Sequence, residues 1–575
     1  MPSDRSKQHS NYEQLITETE PQGWLEICLE FFCYFCLIGF FVYLLVVSVV
    51  HYVANSPDAN IRALNLSHYV DVPLTYFPKE ISVGCATSAY QIEGAWNTDG
   101  KGENIWDHLV HQTPNLIKNN DTGDVACDSY HKYKEDVQLI KYIGFNHYRF
   151  SVSWSRILPT GHDNVVNQAG IDYYNDLIDQ LLANGIKPMV TLYHFDLPQP
   201  LQELGGWTNP LMATYFENYA RVVFKAFGSK VPWWVTINEP RNVMVGYSQT
   251  NWTVVLAPHI SQAGVADYLV AHTLLRAHAK AYRLYQRDFK SKYNGQVFIT
   301  LDAKFYYPKS DSWEDKHATS RIAEFEVGLF AHPIFSKDGD YPRIVRERVD
   351  YLSKMEGRSI SRLPRFTLEE IEEIRGSSDA FGLNHYTSIV VSDAGEQEES
   401  QPSLLTDAGV TLSTDPSWTT GNSSWLKVVP KGMRGVLNYI RLMYNNPPVF
   451  ITENGLSSNS GLQDDDRIRY HHDYLVEMLL AYYVNMCNVI GYTAWSIVDN
   501  FEWSSGYTAR FGLHWVDFND PARPRTKKKS VMFFKQLLAT RMLPDVPFEV
   551  NKTLAHPKNS SSLEFIKQVI KNNQP

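Results

Sequence analysis

Two glutamates stand where apolar runs stop. Val235-Thr-Ile-Asn-Glu239-Pro and Phe450-Ile-Thr-Glu453-Asn-Gly each end a strand-type segment on a carboxylate, and proline or glycine soon breaks the chain. A carboxylate at a rim rich in Trp and Tyr is desolvated, so it pairs with a cation or titrates abnormally. Two such groups facing one bond can divide the work. One, kept protonated, donates to a leaving oxygen; the other, bare, attacks the anomeric carbon of a sugar. Either glutamate alone reads equally well as a strand-end salt-bridge partner, and it is the pair that carries the argument.

Something must bring these two residues together across more than two hundred positions of chain. From about residue 81 the sequence alternates short apolar runs with longer stretches of helical period. Strands are expected at 81–86, 145–151, 188–193, 233–237, 297–301, 380–383, 449–452 and 489–494, with helices at 131–143, 171–184, 210–227, 266–288, 320–330, 433–444 and 467–484, and 529–543 after the last strand. Eight strands with interleaved helices suit a closed α/β architecture, a single (β/α)8 TIM barrel. A doubly wound sheet is the alternative, but no Gly-x-Gly-x-x-Gly follows an early strand. In a barrel the chemistry gathers at the carboxyl ends of the strands, where both glutamates lie. The Ser- and Asp-rich stretch 392–422 reads as a loop on that face.

At this point the chain resembles the family-one glycoside hydrolases, the β-glucosidase family, over about residues 72–543. The resemblance rests on seven blocks in order: Ala86-Thr-Ser-Ala-Tyr-Gln-Ile-Glu-Gly-Ala-Trp96, Tyr148-Arg-Phe-Ser-Val-Ser-Trp-Ser-Arg-Ile157, Thr191-Leu-Tyr-His-Phe-Asp-Leu-Pro-Gln199, Thr236-Ile-Asn-Glu-Pro240, Asn384-His-Tyr386, Ile451-Thr-Glu-Asn-Gly455 and Ala494-Trp-Ser-Ile-Val-Asp-Asn-Phe-Glu-Trp503. It implies a retaining β-glycosidase that releases terminal non-reducing β-D-glucosyl residues from O-glycosides by double displacement, with galactosyl and fucosyl residues left open. Glu239 corresponds to the family's acid/base and Glu453 to its nucleophile. Arg149 and Tyr386 correspond to the groups that support the nucleophile. Gln91, His194, Asn238, Trp495, Glu502 and Trp503 correspond to the sugar-binding set, with Asn384 behind them. Phe195 stands where the family often has Trp. Glu502 would repel a 6-phosphate, and Glu239 is the acid that plant thioglucosidases lack. The aglycone side is expected from barrel loops, with Tyr507 and Phe511 as candidates. No cofactor or metal is implied. A catalytically silent glycan-binding co-receptor module is the alternative reading, motivated by the amino-terminal segment described next.

Residues 31–50 carry no charge, which is about the twenty residues a bilayer core requires. The thirty residues before them hold six acids against Arg5 and Lys7, unlike the basic start of a cleaved leader. Asn65, Asn120, Asn251, Asn422, Asn551 and Asn559 head N-x-S/T triplets, and all six follow the apolar run. The expected organisation is therefore a cytosolic tail (1–30), a transmembrane anchor (31–53), a linker (54–75), the barrel (76–544) and a polar tail (545–575). The catalytic body would be extracellular or lumenal, at the plasma membrane or in endolysosomes. Net charge is −10 and the one basic cluster is 527–529, so nucleic acid is not an expected partner. Cys28, Cys33 and Cys36 fall in or beside the apolar run; Cys85, Cys127 and Cys487 allow at most one disulfide.

Overall fold

The barrel strands are short and largely buried along their length, as parallel strands covered on both faces must be. In the computed structural model, which describes residues 75–249, 255–395 and 401–548, eight such strands close a barrel. They are β1 (Ser82–Ala86), β2 (His147–Ser151), β3 (Lys187–Tyr193), β4 (Trp233–Asn238), β5 (Gln296–Asp302), β6 (Phe381–Asn384), β7 (Val449–Asn454) and β8 (Val489–Trp495). Each pairs in parallel with its neighbour in sequence, and β8 returns to β1 with Cys85 opposite Ala494. Helices follow the strands on the outside; the longest among the described residues, Ala266–Asp288, has the bounds expected for it.

Side chains close the barrel at the amino-terminal end of its strands. Met189, Val235, Phe298, Ala380 and Phe450 are buried against one another, with Trp233 and Ile490 at the edge. Polar residues collect at the other end. Regular alternation would send neighbouring residues of a strand to opposite faces. Yet Thr452 and Glu453 both reach into the barrel, Thr452 to Asn384 at 2.7 Å and Glu453 to Arg149 at 2.6 Å. The pairing register of β7 shifts between Ile451 and Glu453, and that of β4 shifts between Val235 and Asn238. Such irregularities re-aim side chains at strand ends, and here they fall at the two strands that carry the glutamates.

Two expectations are refined. The stretch 392–422 is not all loop: it holds helix Leu404–Ala408 and strand Val410–Ser413, which pairs antiparallel with strand Ser388–Asp393. Ser403 and Thr406 cap that helix reciprocally, a device shorter than any hydrophobic period. The helix expected at 320–330 is instead three consecutive pieces, Trp313–Ala323, Glu324–Gly328 and Leu329–Phe335. Cys85, Cys127 and Cys487 are free and buried. The tail, anchor and linker of 1–74 lie outside the described residues, as do Asn65, Asn251, Asn551 and Asn559; Asn120 and Asn422 are exposed. No helix among the described residues is long and apolar enough to cross a membrane.

Candidate active site

Glu453 is the penultimate residue of β7 and is 4% exposed, so its charge needs partners. Arg149, on β2, donates to its Oε1 at 2.6 Å, and the Tyr386 hydroxyl donates to Oε2 at 2.7 Å. Arg149 makes three further hydrogen bonds, donating to Thr191 Oγ1, the Thr452 carbonyl and Asn238 Oδ1. Burial raises the Glu453 pKa above the ordinary glutamate value, while Arg149 and Tyr386 oppose the rise.

Glu239 follows β4 with φ +43°, in the left-handed region that costs a non-glycine residue strain. It begins helix Pro240–Tyr247 yet makes no side-chain cap to it, so its carboxyl is free to face the barrel. Its two oxygens accept only neutral donors: Asn384 Nδ2 at 2.7 Å and Asn242 Nδ2 at 2.6 Å. Burial, then Glu453, then Asp302 push its pKa up to about 8. The environments therefore separate the pair: a buried cation faces Glu453 and only amides face Glu239, so Glu239 is the one that holds a proton at neutral pH.

Both glutamates line one cavity of about 330 Å³. His194, Phe195, Asn384, Tyr386, Trp495, Glu502, Trp503 and Phe511 share its wall. Asn238 Oδ1 accepts from Arg149 and Asn384, so its Nδ2 is the group that meets His194 Nε2 at 3.2 Å. His194, kept neutral by burial and by Arg149, then carries its proton on Nδ1 as a donor. That nitrogen is buried and has no protein partner. Trp495 and Trp503 lie near-parallel to the His194 ring at 6.0 Å each. Burial and Glu453 raise the Glu502 pKa to about 8. Gln91 is fully buried and lies outside the wall; its amide reaches Asn500, the Phe501 carbonyl and Glu502, so it holds the Glu502 loop.

Another expected residue also stands off the wall. Tyr507 is turned away from the cavity: its hydroxyl donates to the Thr122 carbonyl at 2.6 Å and its ring packs on Phe518. Aromatic type alone cannot separate a cavity wall from a strut. Conversely, Arg241, Asn242, Val245, Leu256, Asp302, Lys304 and Trp425 line the cavity without having been singled out. Asp302 ends β5, so the strand-end rule that marked Glu239 and Glu453 would have found it. Arg241 and Asn242 fall in the first turn after the Glu239 block.

A barrel of this topology with two buried, differently partnered carboxyls in one cavity defines a hydrolase of the glycosidase type. The chain belongs to Glycosyl hydrolase family 1, whose pattern matches residues 74–542. Myrosinase 1 of Brevicoryne brassicae is 47% identical, over 81% of this chain and 98% of its own length. Cytosolic beta-glucosidase of Homo sapiens is 42% identical, over 80% of this chain and 98% of its own. A rice beta-glucosidase mutant solved in a covalent complex with Glc has a TM-score of 0.75 at 40% identity, over 80% of this chain and 98% of that one. This chain is accordingly an enzyme, a β-glucosidase-like glycosyl hydrolase.

Proposed function

We propose that the enzyme hydrolyses terminal β-D-glucosides with retention, Glu453 serving as nucleophile and Glu239 as acid and then base. The observation that carries this reading is the division of partners: Arg149 and Tyr386 on Glu453, amides alone on Glu239. In the first step the bond from the anomeric carbon to the Glu453 oxygen forms as the glycosidic bond breaks, and the Glu239 proton passes to the leaving oxygen. In the second, Glu239 takes a proton from water, whose oxygen attacks the same carbon and frees Glu453. The covalent complex with Glc of the rice relative supports the first step. Asn238, bridged to Arg149, suits the sugar 2-hydroxyl; His194, Glu502 and Trp503 suit the remaining hydroxyls, and Trp495 the ring face. Phe511 and Trp425, with Val245 and Leu256, offer an apolar wall to the aglycone.

The test is a panel of aryl β-glucosides, β-galactosides, β-fucosides and S-β-glucosides. Protonation helps an alkoxide or phenoxide leave far more than a thiolate, so a site built around a protonated Glu239 should favour the O-glucoside. A purified enzyme inert on every O-glycoside between pH 4 and 9 would overturn the assignment.

The same pair sets the pH profile, with Glu502 titrating in the range of its alkaline limb. Glu239 must carry its proton, so kcat/KM falls as pH rises through about 8. Glu453 must be bare, so kcat/KM also falls as pH drops through a pKa raised above the ordinary glutamate value. The expected profile is a bell whose acid limb lies higher than free glutamate would give, read from initial rates at low substrate. A plateau extending beyond pH 9.5 would remove Glu239 from the role of acid.

We propose further that 31–53 anchors the body outside the cytosol. The uncharged run at 31–50 and the six glycosylation triplets that all follow it support this. Digestion with an N-glycosidase should increase gel mobility; unchanged mobility would count against the orientation.

A further inference from the structure

Glu239 holds its carboxyl between two amides, each itself held in place: Asn384 by the Thr452 hydroxyl and Asn242 by a charged pair. Asn242 Nδ2 donates to Glu239 Oε2 at 2.6 Å. An amide can turn over and present its oxygen instead. Here it cannot do so freely, because Arg241 donates from its guanidinium to Asn242 Oδ1 at 3.1 Å. Arg241 in turn is paired with Asp302 on β5, its Nε donating to Oδ2 at 2.6 Å. Behind Arg241, Glu326 is engaged by Lys304 at 2.9 Å and by the Tyr306 hydroxyl at 2.5 Å, so the four charges Arg241, Lys304, Asp302 and Glu326 balance. A balanced cluster does not select an anionic aglycone. It is built instead to keep one amide pointing one way.

We propose that Asn242, oriented by the Arg241–Asp302 pair, is a positioning residue that fixes the Glu239 carboxyl and sets how firmly it keeps its proton. The proposal rests on the reading of Glu239 as the acid. An N–H aimed at Oε2 favours the bare carboxylate, which suits the second step, where Glu239 is the base. Asp302, close by, favours the protonated form, which suits the first. The two influences act on one group in opposite directions, and Arg241 links the residues they come from. Other charges meet the same cavity: Glu453, with Arg149 and Tyr386 behind it, and Glu502 from the loop after β8. They stay in place in each variant below.

The experiment compares alkaline limbs of kcat/KM for the full chain and for Asn242→Ala, Arg241→Met, Asp302→Asn and Glu239→Gln. Loss of one hydrogen bond to a charged carboxylate corresponds to a shift of about one pH unit. Asn242→Ala should move the limb up by about that much. Arg241→Met, which frees the amide and leaves the Asp302 charge unmatched, should also move it up. Asp302→Asn should move it down by about half a unit or more. A purely structural role would not move neighbours in opposite directions. Poor leaving groups should lose more rate than good ones in Asn242→Ala, since only the former need a well-placed proton. Asn242→Ser and Arg241→Lys serve if either larger change prevents folding, with smaller shifts of the same sign. If Glu239→Gln leaves both the limb and the rate on poor leaving groups unchanged, the acid assignment itself fails; a limb that survives with those rates lost belongs to Glu502, which also titrates near 8. If Glu239→Gln abolishes the limb but the other variants leave it within 0.2 units, or all shift it in one direction, the positioning role is overturned.

Discussion

Glu453→Gln is expected to lower kcat on an aryl β-glucoside by about four orders of magnitude or more, the scale of losing a group on which a covalent step depends. The amide has the shape of the carboxyl and can still meet Tyr386, but it forms no glycosyl ester. The change has a second consequence. Arg149 is 1% exposed and Glu453 is the carboxylate it meets. Removing one partner of a buried pair costs roughly 3–5 kcal/mol, so the variant should melt well below the parent. Activity must therefore be read on folded protein, checked by circular dichroism at a temperature below that transition. Trapping the parent with a slow fluorinated glucoside should place the sugar on the peptide containing Glu453, and the Gln variant should remain unlabelled. A folded variant retaining a tenth or more of the parent kcat would assign the nucleophile to another residue.

Much of this arrangement could be read from the chain, because a barrel makes sequence and space agree. Its strands are short apolar runs, so 81–86 and 489–494 fall within a residue of Ser82–Ala86 and Val489–Trp495. Their carboxyl ends share one face, so blocks ending at Glu239, Tyr386 and Glu453 had to converge. What could not be read depends on partners distant in sequence or on the backbone. Arg241 and Asp302 lie 61 residues apart, and neither is distinctive until they meet. Phe195, Glu239 and Trp503 all hold left-handed backbone, at φ +74°, +43° and +50°, although none is a glycine. Propensity gives no sign of such strain, which surrounding packing must sustain. Tyr507 shows the converse failure: an aromatic on the right loop, spent on bracing Thr122 and Phe518.

Glu239→Ala should show that one residue performs two tasks. For a phenol that leaves reluctantly, kcat/KM is expected to fall by about 10²–10⁴-fold, the usual worth of a placed acid. For dinitrophenol, which departs without a proton, the first step should be affected much less. The glycosyl ester on Glu453 would then wait for water that has no base. Azide needs none, so it should restore turnover and leave as a glycosyl azide. The Ala variant also removes the negative charge that would repel azide, so the anion has both space and permission to enter. Stereochemistry then decides the mechanism. Attack by Glu453 inverts the anomeric carbon once and attack by azide inverts it again, so the product must be the β-azide. An α-azide would mean that azide displaced the aglycone directly, without an ester on Glu453. No rescue at all, together with equal losses for good and poor leaving groups, would mean that Glu239 shapes the cavity but transfers no proton.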